Sequence, residues 1–305
     1  VFECPRRKIT HKINLGKENI MEEDRTVKNA IFSARAAVET AQQPPSQQKE
    51  LGIEIPVFGI ALPSKGLIYG QETPLHNQEF VDIKAMTAKE ENILMSRALV
   101  RRGTVITELI KSCLIDKSIE VNDMISGDRN ALMVAIRVSG YGSDYTPQFK
   151  CPECEQMQEF TFKLAELETK ELDLEKLNQV EPFKNLFLFQ LPASKKNVEF
   201  KFITGKEEEQ MLQVVEARKK RGMLNDEVIT TRLLNSIVSI DGIKERSYIS
   251  KFANNMLASD SLALRRHIDN NEPSIDMTQS FTCNNCDYSE VMSIPMGPSF
   301  LWPRV

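Results

Sequence analysis

Two Cys-x-x-Cys pairs, Cys151-Pro-Glu-Cys154 and Cys283-Asn-Asn-Cys286, hold four of the six cysteines of this 305-residue chain. Each brackets a tight turn in which two sulfurs and nearby backbone N–H groups can converge. Each is followed by an alternating strand, EFTF after the first and EVMSI after the second. Four thiolates in two such knuckles are what a tetrahedral structural zinc needs, and four sulfurs leave no position open for water or substrate. The spacing is unusual. Cys154 and Cys283 are separated by 128 residues, where a simple zinc ribbon has about 15–20.

A repeat accounts for the gap. Residues 128–154 align without gaps on 260–286, and nine of the 27 positions are identical, both cysteine pairs included; average composition gives roughly two by chance. Upstream, VDIKAMTAKEE (81–91) matches VEFKFITGKEE (198–208). Each stretch runs from strand-like alternation into a Thr-x-x-Glu capping box, Thr87/Glu90 and Thr204/Glu207. The expected fold is therefore α+β. Two duplicated modules, each with a β-hairpin, three or more helices and one knuckle, join through a shared Cys4 zinc-ribbon-like site, and a helical arm precedes them. The implied cofactor is Zn2+, held by Cys151, Cys154, Cys283 and Cys286.

The chain divides on composition. Residues 1–50 form an arm and linker: 23–42 reads as an amphipathic helix and QQPPSQQKE as the linker. That helix either docks on a partner or packs on its own chain. The first module spans 51–164, an acidic connector 165–184, the second module 185–292, and a tail carrying Trp302 spans 293–305. In the first module, 55–70 suggests two short strands around a Pro-Ser-Lys-Gly turn and 79–86 a further strand. Helices follow over 87–102, stopped by Gly103, over 104–114, and over 126–140, capped by Ser-Gly-Asp. The strand EFTFKL (159–164) leaves the first knuckle. In the second module, 185–192 and 198–204 form a hairpin. Helices are expected from Thr204 to about Arg221, over 226–240, over 247–257 and over 259–268.

The remaining chemistry is sparse. Cys113 lies in an apolar helical stretch and reads as a plain buried thiol, and Cys4 is left over. His11, His76 and His267 show no ligand spacing. Phosphate loop, nucleophile elbow and paired catalytic carboxylates are all missing, so an enzyme is not expected. Neither knuckle opens a helix, which argues against a redox pair. The competing reading is two unrelated reduced pairs or a disulfide. The basic run ARKKRG (217–222) sits at a helix end, where cations complement the dipole. A formal net charge of −4 argues against a nucleic-acid binder. No apolar run suits a membrane span or a secretory leader, so folding in a reducing cytoplasm is expected, where paired cysteines favour metal.

VFGIALPSKGLIYG (57–70), MTAKEENILMSRALVRRG (86–103), GDRNALMVAIRVSGYGSDY (127–145) and the CPEC knuckle together resemble the baseplate hub family of T-even-type contractile-tailed bacteriophages. The resemblance is clearest over about 57–160. It implies a non-enzymatic protein of the virion tail baseplate, assembled in the host cytoplasm. Its partners would be other baseplate and hub proteins, with the tail tube or tape measure protein as further candidates. The arm and the tail would reach neighbouring subunits. Two other readings stand beside it: an assembly chaperone for the hub or tape measure protein that is absent from the finished virion, and a zinc-ribbon nucleic-acid binder.

Overall fold

In a computed structural model, the structure describes residues 54–220, 228–294 and 298–301. The fold is α+β. Its first half opens with the hairpin β1 (Val57–Ala61) and β2 (Phe80–Lys84), followed by helices α1 (Ala88–Leu94), α2 (Arg97–Arg102), α3 (Val105–Cys113) and α4 (Ser126–Tyr141). Four short strands carry the first knuckle: β3 (Asp144–Tyr145), β4 (Gln148–Lys150), β5 (Met157–Glu159) and β6 (Phe162–Lys163). The connector contributes β7 (Thr169–Lys170) and β8 (Asn178–Gln179). The second half contains β9 (Phe187–Gln190), β10 (Asn197–Phe200), α5 (Gly205–Lys220), α6 (Val228–Ser236), β11 (Ile237–Ile240), α7 (Arg246–Asn255) and α8 (Ala258–Asn271). It ends with β12 (Ser274–Ile275), the hairpin β13 (Thr278–Thr282) and β14 (Ser289–Ser293), and the short α9 (Pro298–Leu301).

Every named strand pair is antiparallel. One four-stranded sheet runs in the order β11-β10-β9-β8, and the other pairs stand alone. The connector is sewn in at both ends, since β8 pairs with β9 and β7 with β12. The main apolar core, including Ile60, Leu109, Leu132, Ile136, Phe187, Phe200, Leu264 and Phe300, runs through both halves, and a small second cluster surrounds Cys151, Phe281 and Cys283.

The two halves show the same local devices. In each, a capping box is locked by a lysine at the end of the preceding strand (Lys84) or just past it (Lys201). Glu90 accepts from the Thr87 N–H (3.0 Å) and from Lys84 (2.7 Å), and Glu207 accepts from the Thr204 N–H (2.9 Å) and from Lys201 (2.6 Å). In each, an aspartate in the first turn of a helix reaches a distant Leu-Pro turn. Asp128 accepts from the Ser64 N–H (2.9 Å), the Ser64 hydroxyl (2.5 Å) and the Tyr69 hydroxyl (2.6 Å). Asp260 accepts from the N–H groups of Ala193 (2.7 Å) and Ser194 (3.0 Å). Burial pushes the Asp128 carboxyl up while these donors pull it down, and the net shift is upward. Asp128 is thus a tether between elements and makes no side-chain cap to its own helix, correcting the expected Ser-Gly-Asp cap.

Three other expectations are revised. Residues 67–70 are not a strand, the turn runs over 63–68, and β1 pairs instead with β2, as Val57↔Lys84 to Ala61↔Phe80. The helix expected over 87–102 is two helices, because Ser96 starts a new N-cap by accepting from the Leu99 N–H (3.5 Å). The helix expected over 226–240 ends at Ser236, and Ile-Val-Ser-Ile continues as β11 against β10. A β-branched run gains more by completing a sheet than by extending a helix. Gly103 does end α2 in the left-handed region (φ 74°), whereas the expected stop at Gly222 and the arm 1–50 lie outside the described residues.

The halves meet along a polar seam. The Ser126 N–H donates to Ile203 O (2.9 Å) and the Gly205 N–H to Met124 O (3.0 Å). Buried Arg129 donates to Val121 O (3.1 Å) and to the Thr107 hydroxyl (3.2 Å), and its Nε lies 3.3 Å from Glu208 on α5. A Cβ at Gly127 would stand 1.7 Å from Pro273 O, and one at Gly205 would stand 1.9 Å from the Arg129 guanidinium. Both glycines therefore sit where one half's backbone approaches the other half. Arg137 donates to Phe300 O (2.8 Å), and Phe300 packs edge-on against Tyr145 at 5.1 Å. This part of the expected tail packs on the chain's own first half and is not free to reach a neighbour; Trp302 lies outside the described residues.

Candidate metal centre

The two knuckles are built alike. In the first, the Cys151 N–H donates to Gln156 O (2.9 Å), the Glu155 N–H returns to Cys151 O (3.0 Å), and Glu155 adopts a positive φ of 59°. In the second, the Cys283 N–H donates to Tyr288 O (2.8 Å), the Asp287 N–H to Cys283 O (3.2 Å), and Asp287 has φ 54°. A left-handed residue after the second cysteine reverses the strand within a few residues and turns both sulfurs to one side. Beneath them, Phe149 on β4, Phe281 on β13, Phe162 on β6 and Phe160 just after β5 form an aromatic floor with ring centroids 4.9–6.0 Å apart. That floor holds the knuckles face to face.

All four sulfurs meet. Cys151 Sγ lies 3.7 Å from Cys286 Sγ, Cys154 Sγ lies 3.6 Å from Cys283 Sγ, and all four are within 4.8 Å of one another. These cysteines are free, and the separations are far beyond a disulfide bond. Sulfurs at about 2.3 Å from a common tetrahedral zinc stand about 3.8 Å apart, so the donor set fits such an ion in number, type and spacing. Among the described residues, this is the one group of three or more His, Cys, Asp or Glu whose ligand atoms converge so closely.

The electrostatics point the same way. Burial alone would push the Cys283 thiol up, but the N–H groups of Asn285 and Cys286, the Cys286 side chain and the Gln158 amide (2.7 Å) outweigh it and bring it to about 6. The Gln156 N–H and the Asn285 side chain draw Cys154 down. Cys286 moves the other way. The Tyr288 N–H lowers it, but burial and three neighbouring sulfurs push it up to about 12. Four thiolates in this space repel one another unless a cation sits among them. Thiolate donors select soft or borderline metals, and four of them close the coordination shell.

The structure thus brings together all four cysteines expected to act as ligands. Cys113 is separate, fully buried, and pushed up to about 12 by desolvation. His267 stacks on Phe189 at 4.4 Å as a core ring, and burial lowers its pKa; His76 binds Tyr69 O (2.8 Å). His11 and Cys4 lie outside the described residues. Sequence reasoning missed Gln158, which donates to Cys283 Sγ and accepts from the Asn284 N–H (2.9 Å), so one knuckle's strand braces the other knuckle's loop. Its position four residues after Cys154 carries no signal of that role.

No helix among the described residues is long and apolar enough to cross a membrane. No curated protein and no solved structure matches the chain. A family model described as "T4 bacteriophage base plate protein" matches residues 69–302, most of the chain and nearly all of what surrounds the cysteine cluster, and the chain therefore belongs to that phage baseplate family.

Proposed function

We propose that this chain is a non-enzymatic structural component of the tail baseplate, at or beside the hub, built from two duplicated modules clasped by one structural zinc. The convergence of Cys151 and Cys154 with Cys283 and Cys286, more than a hundred residues apart, carries the reading. A zinc held there would tie the two knuckles into one rigid unit and, with four thiolate ligands, would have no open position for chemistry. The duplication is supported by the matched capping boxes, the matched aspartate tethers and the matched knuckle hydrogen bonds. In this reading the modules span 51–164 and 185–292, the connector 165–184 spaces them, and residues 1–50 reach neighbouring baseplate or hub proteins.

Quantitative proteomics of purified virions, with zinc measured on the isolated protein, tests the proposal. One zinc per chain and a fixed copy number per particle are expected. Absence from mature particles would favour the assembly-chaperone reading, and a zinc-free isolated protein would remove the clasp.

A further inference from the structure

The second half carries a cleft that the clasp does not use. It has a volume of about 490 Å³ and lies where β10 and β11 meet the starts of α5 and α7. Lysines 201 and 244 and Arg246 line it against a single carboxylate, Glu207, with the side-chain amides of Gln210 and Asn235 beside them. The volume is that of a small-ligand or side-chain pocket.

Two of these charges are already matched. Lys201 Nζ lies 2.6 Å from Glu207, whose other oxygen accepts from Thr204, so this pair is fixed. Arg246 donates through Nη1 to Leu234 O (2.8 Å), which anchors the guanidinium and leaves Nε and Nη2 without a hydrogen bond among the described residues. Lys244 has no hydrogen bond or ion pair among the described residues. Its charge acts on Glu181 at longer range, but the contacting partner of Glu181 is Lys184, and Glu245 accepts from the Ser247 hydroxyl. The cleft therefore offers two cations with no contacting carboxylate among the described residues, one of them a tethered fork of donors suited to a carboxylate.

We propose that this cleft receives an acidic segment of a neighbouring protein, with Lys244 and Arg246 binding its Asp or Glu carboxylates. Two cations without a contacting carboxylate, beside a fixed ion pair, match one or two carboxylates. They do not match a nucleic-acid backbone, which needs a longer basic track and meets an acidic chain here. The inference takes from the baseplate reading only that the neighbour is a protein.

The test uses the full chain with its metal content measured and a labelled, end-capped hexaglutamate peptide followed by fluorescence anisotropy at low and high salt. Saturable, salt-sensitive binding is expected, weakened about tenfold or more by K244E/R246E. K111E, an exposed lysine on α3, should leave it unchanged. If the charge-reversed protein does not fold, K244Q/R246Q gives the same comparison. No saturable binding, or equal loss in K111E, overturns the proposal. Displacement of the peptide by inorganic phosphate at a far lower concentration also overturns it, assigning the cleft to phosphate. Absence of the chain from virions or of zinc from the protein would leave peptide binding intact, so the two readings fail separately.

Discussion

If the four cysteines hold a metal as proposed, stripping it should cost the folded chain about 5 kcal/mol, a figure that follows from the loop the clasp would close. Cys154 and Cys283 are 129 residues apart in sequence, and Cys151 and Cys286 are 135 apart. In the unfolded chain, an ion held by one knuckle must close a loop of that length to reach the other. The entropy of closing a loop of roughly 130 residues is about 16 to 17 cal/mol/K, or about 5 kcal/mol at 25 °C. The folded chain has already brought the knuckles together, so it binds the ion more tightly than the unfolded chain by that amount, and linkage converts the difference into stability. Domains are stable by about 5–15 kcal/mol, so the loss is a third or more of the total. At about 2–4 °C per kcal/mol, the melting temperature should fall by about 10–20 °C. Calorimetry of metal-loaded and chelator-treated protein, both kept under reductant, measures the shift. C151S and C283S should each abolish most of the chelator effect, and the double variant should add little, because the ligands act as one unit. C113S should leave the effect in place. Complete metal removal with a shift below about 2 °C would refute the argument.

Other perturbations probe the frame around the clasp. Glu90 has no exposed side-chain surface; burial raises its carboxyl, but Lys84, Ser112 and Thr87 outweigh this and hold it at about 2 against an ordinary 4.5. A depressed folded-state pKa stabilises above pH 4.5 and is lost as pH falls through about 2, so E90Q should cost about 2–4 kcal/mol near neutral pH and flatten that acid limb in urea unfolding. Glu272 behaves oppositely. Burial raises it to about 7, Arg232 at 3.9 Å opposing and Asp269 and Glu208 adding to the rise. Its contribution is complete below pH 4.5 and lost as pH rises through about 7, so E272Q should stabilise the protein at pH 8 by about 2 kcal/mol and leave it unchanged near pH 4. An alanine at Gly127 meets Pro273 O at 1.7 Å, whereas one at Gly140 meets chiefly the mobile end of Met86 at 2.6 Å. G127A should therefore cost about 3 kcal/mol or more, and G140A clearly less, in the same unfolding assay.

What could be read beforehand was whatever the chain states locally or by repetition. The cysteine spacing, the Thr-x-x-Glu boxes and the Gly103 stop are signals within a few residues, and each sits where expected. Roles set by distant partners were not legible. Asp128 has the composition of a cap, yet its donors are Ser64 and Tyr69, 64 and 59 residues upstream. The run Ile237–Ile240 continues a helical pattern, and only the neighbouring edge of β10 makes it a strand. The connector's strands are two residues long, too short for any periodicity to register, yet they pair with β9 and β12. Arg129 and Arg137 read as polar positions of a helix, but both are buried because backbone carbonyls from other segments surround them.

The position of the proposed metal follows from how unevenly the two halves are bound. Near the start of α4 they share backbone hydrogen bonds, a buried guanidinium and two glycines pressed against the opposite half, and apolar side chains close the core around them. At the knuckle end there are two hairpins whose residues are largely exposed. β4 and β5 each bury none of their three residues fully, and β13 buries only Phe281 of its five. Isolated two-stranded hairpins are marginal in water, and four phenylalanines are a small core. A single ion held by both hairpins, as proposed, would supply there what burial supplies elsewhere. Losing it should open the structure from that end first, freeing the knuckles while the seam at α4 still holds. Amide exchange on chelator-treated protein should accordingly rise over 148–159 and 278–293 before it rises over 126–141. The reverse order would place the weak end of the molecule at the seam and leave the clasp without a structural purpose.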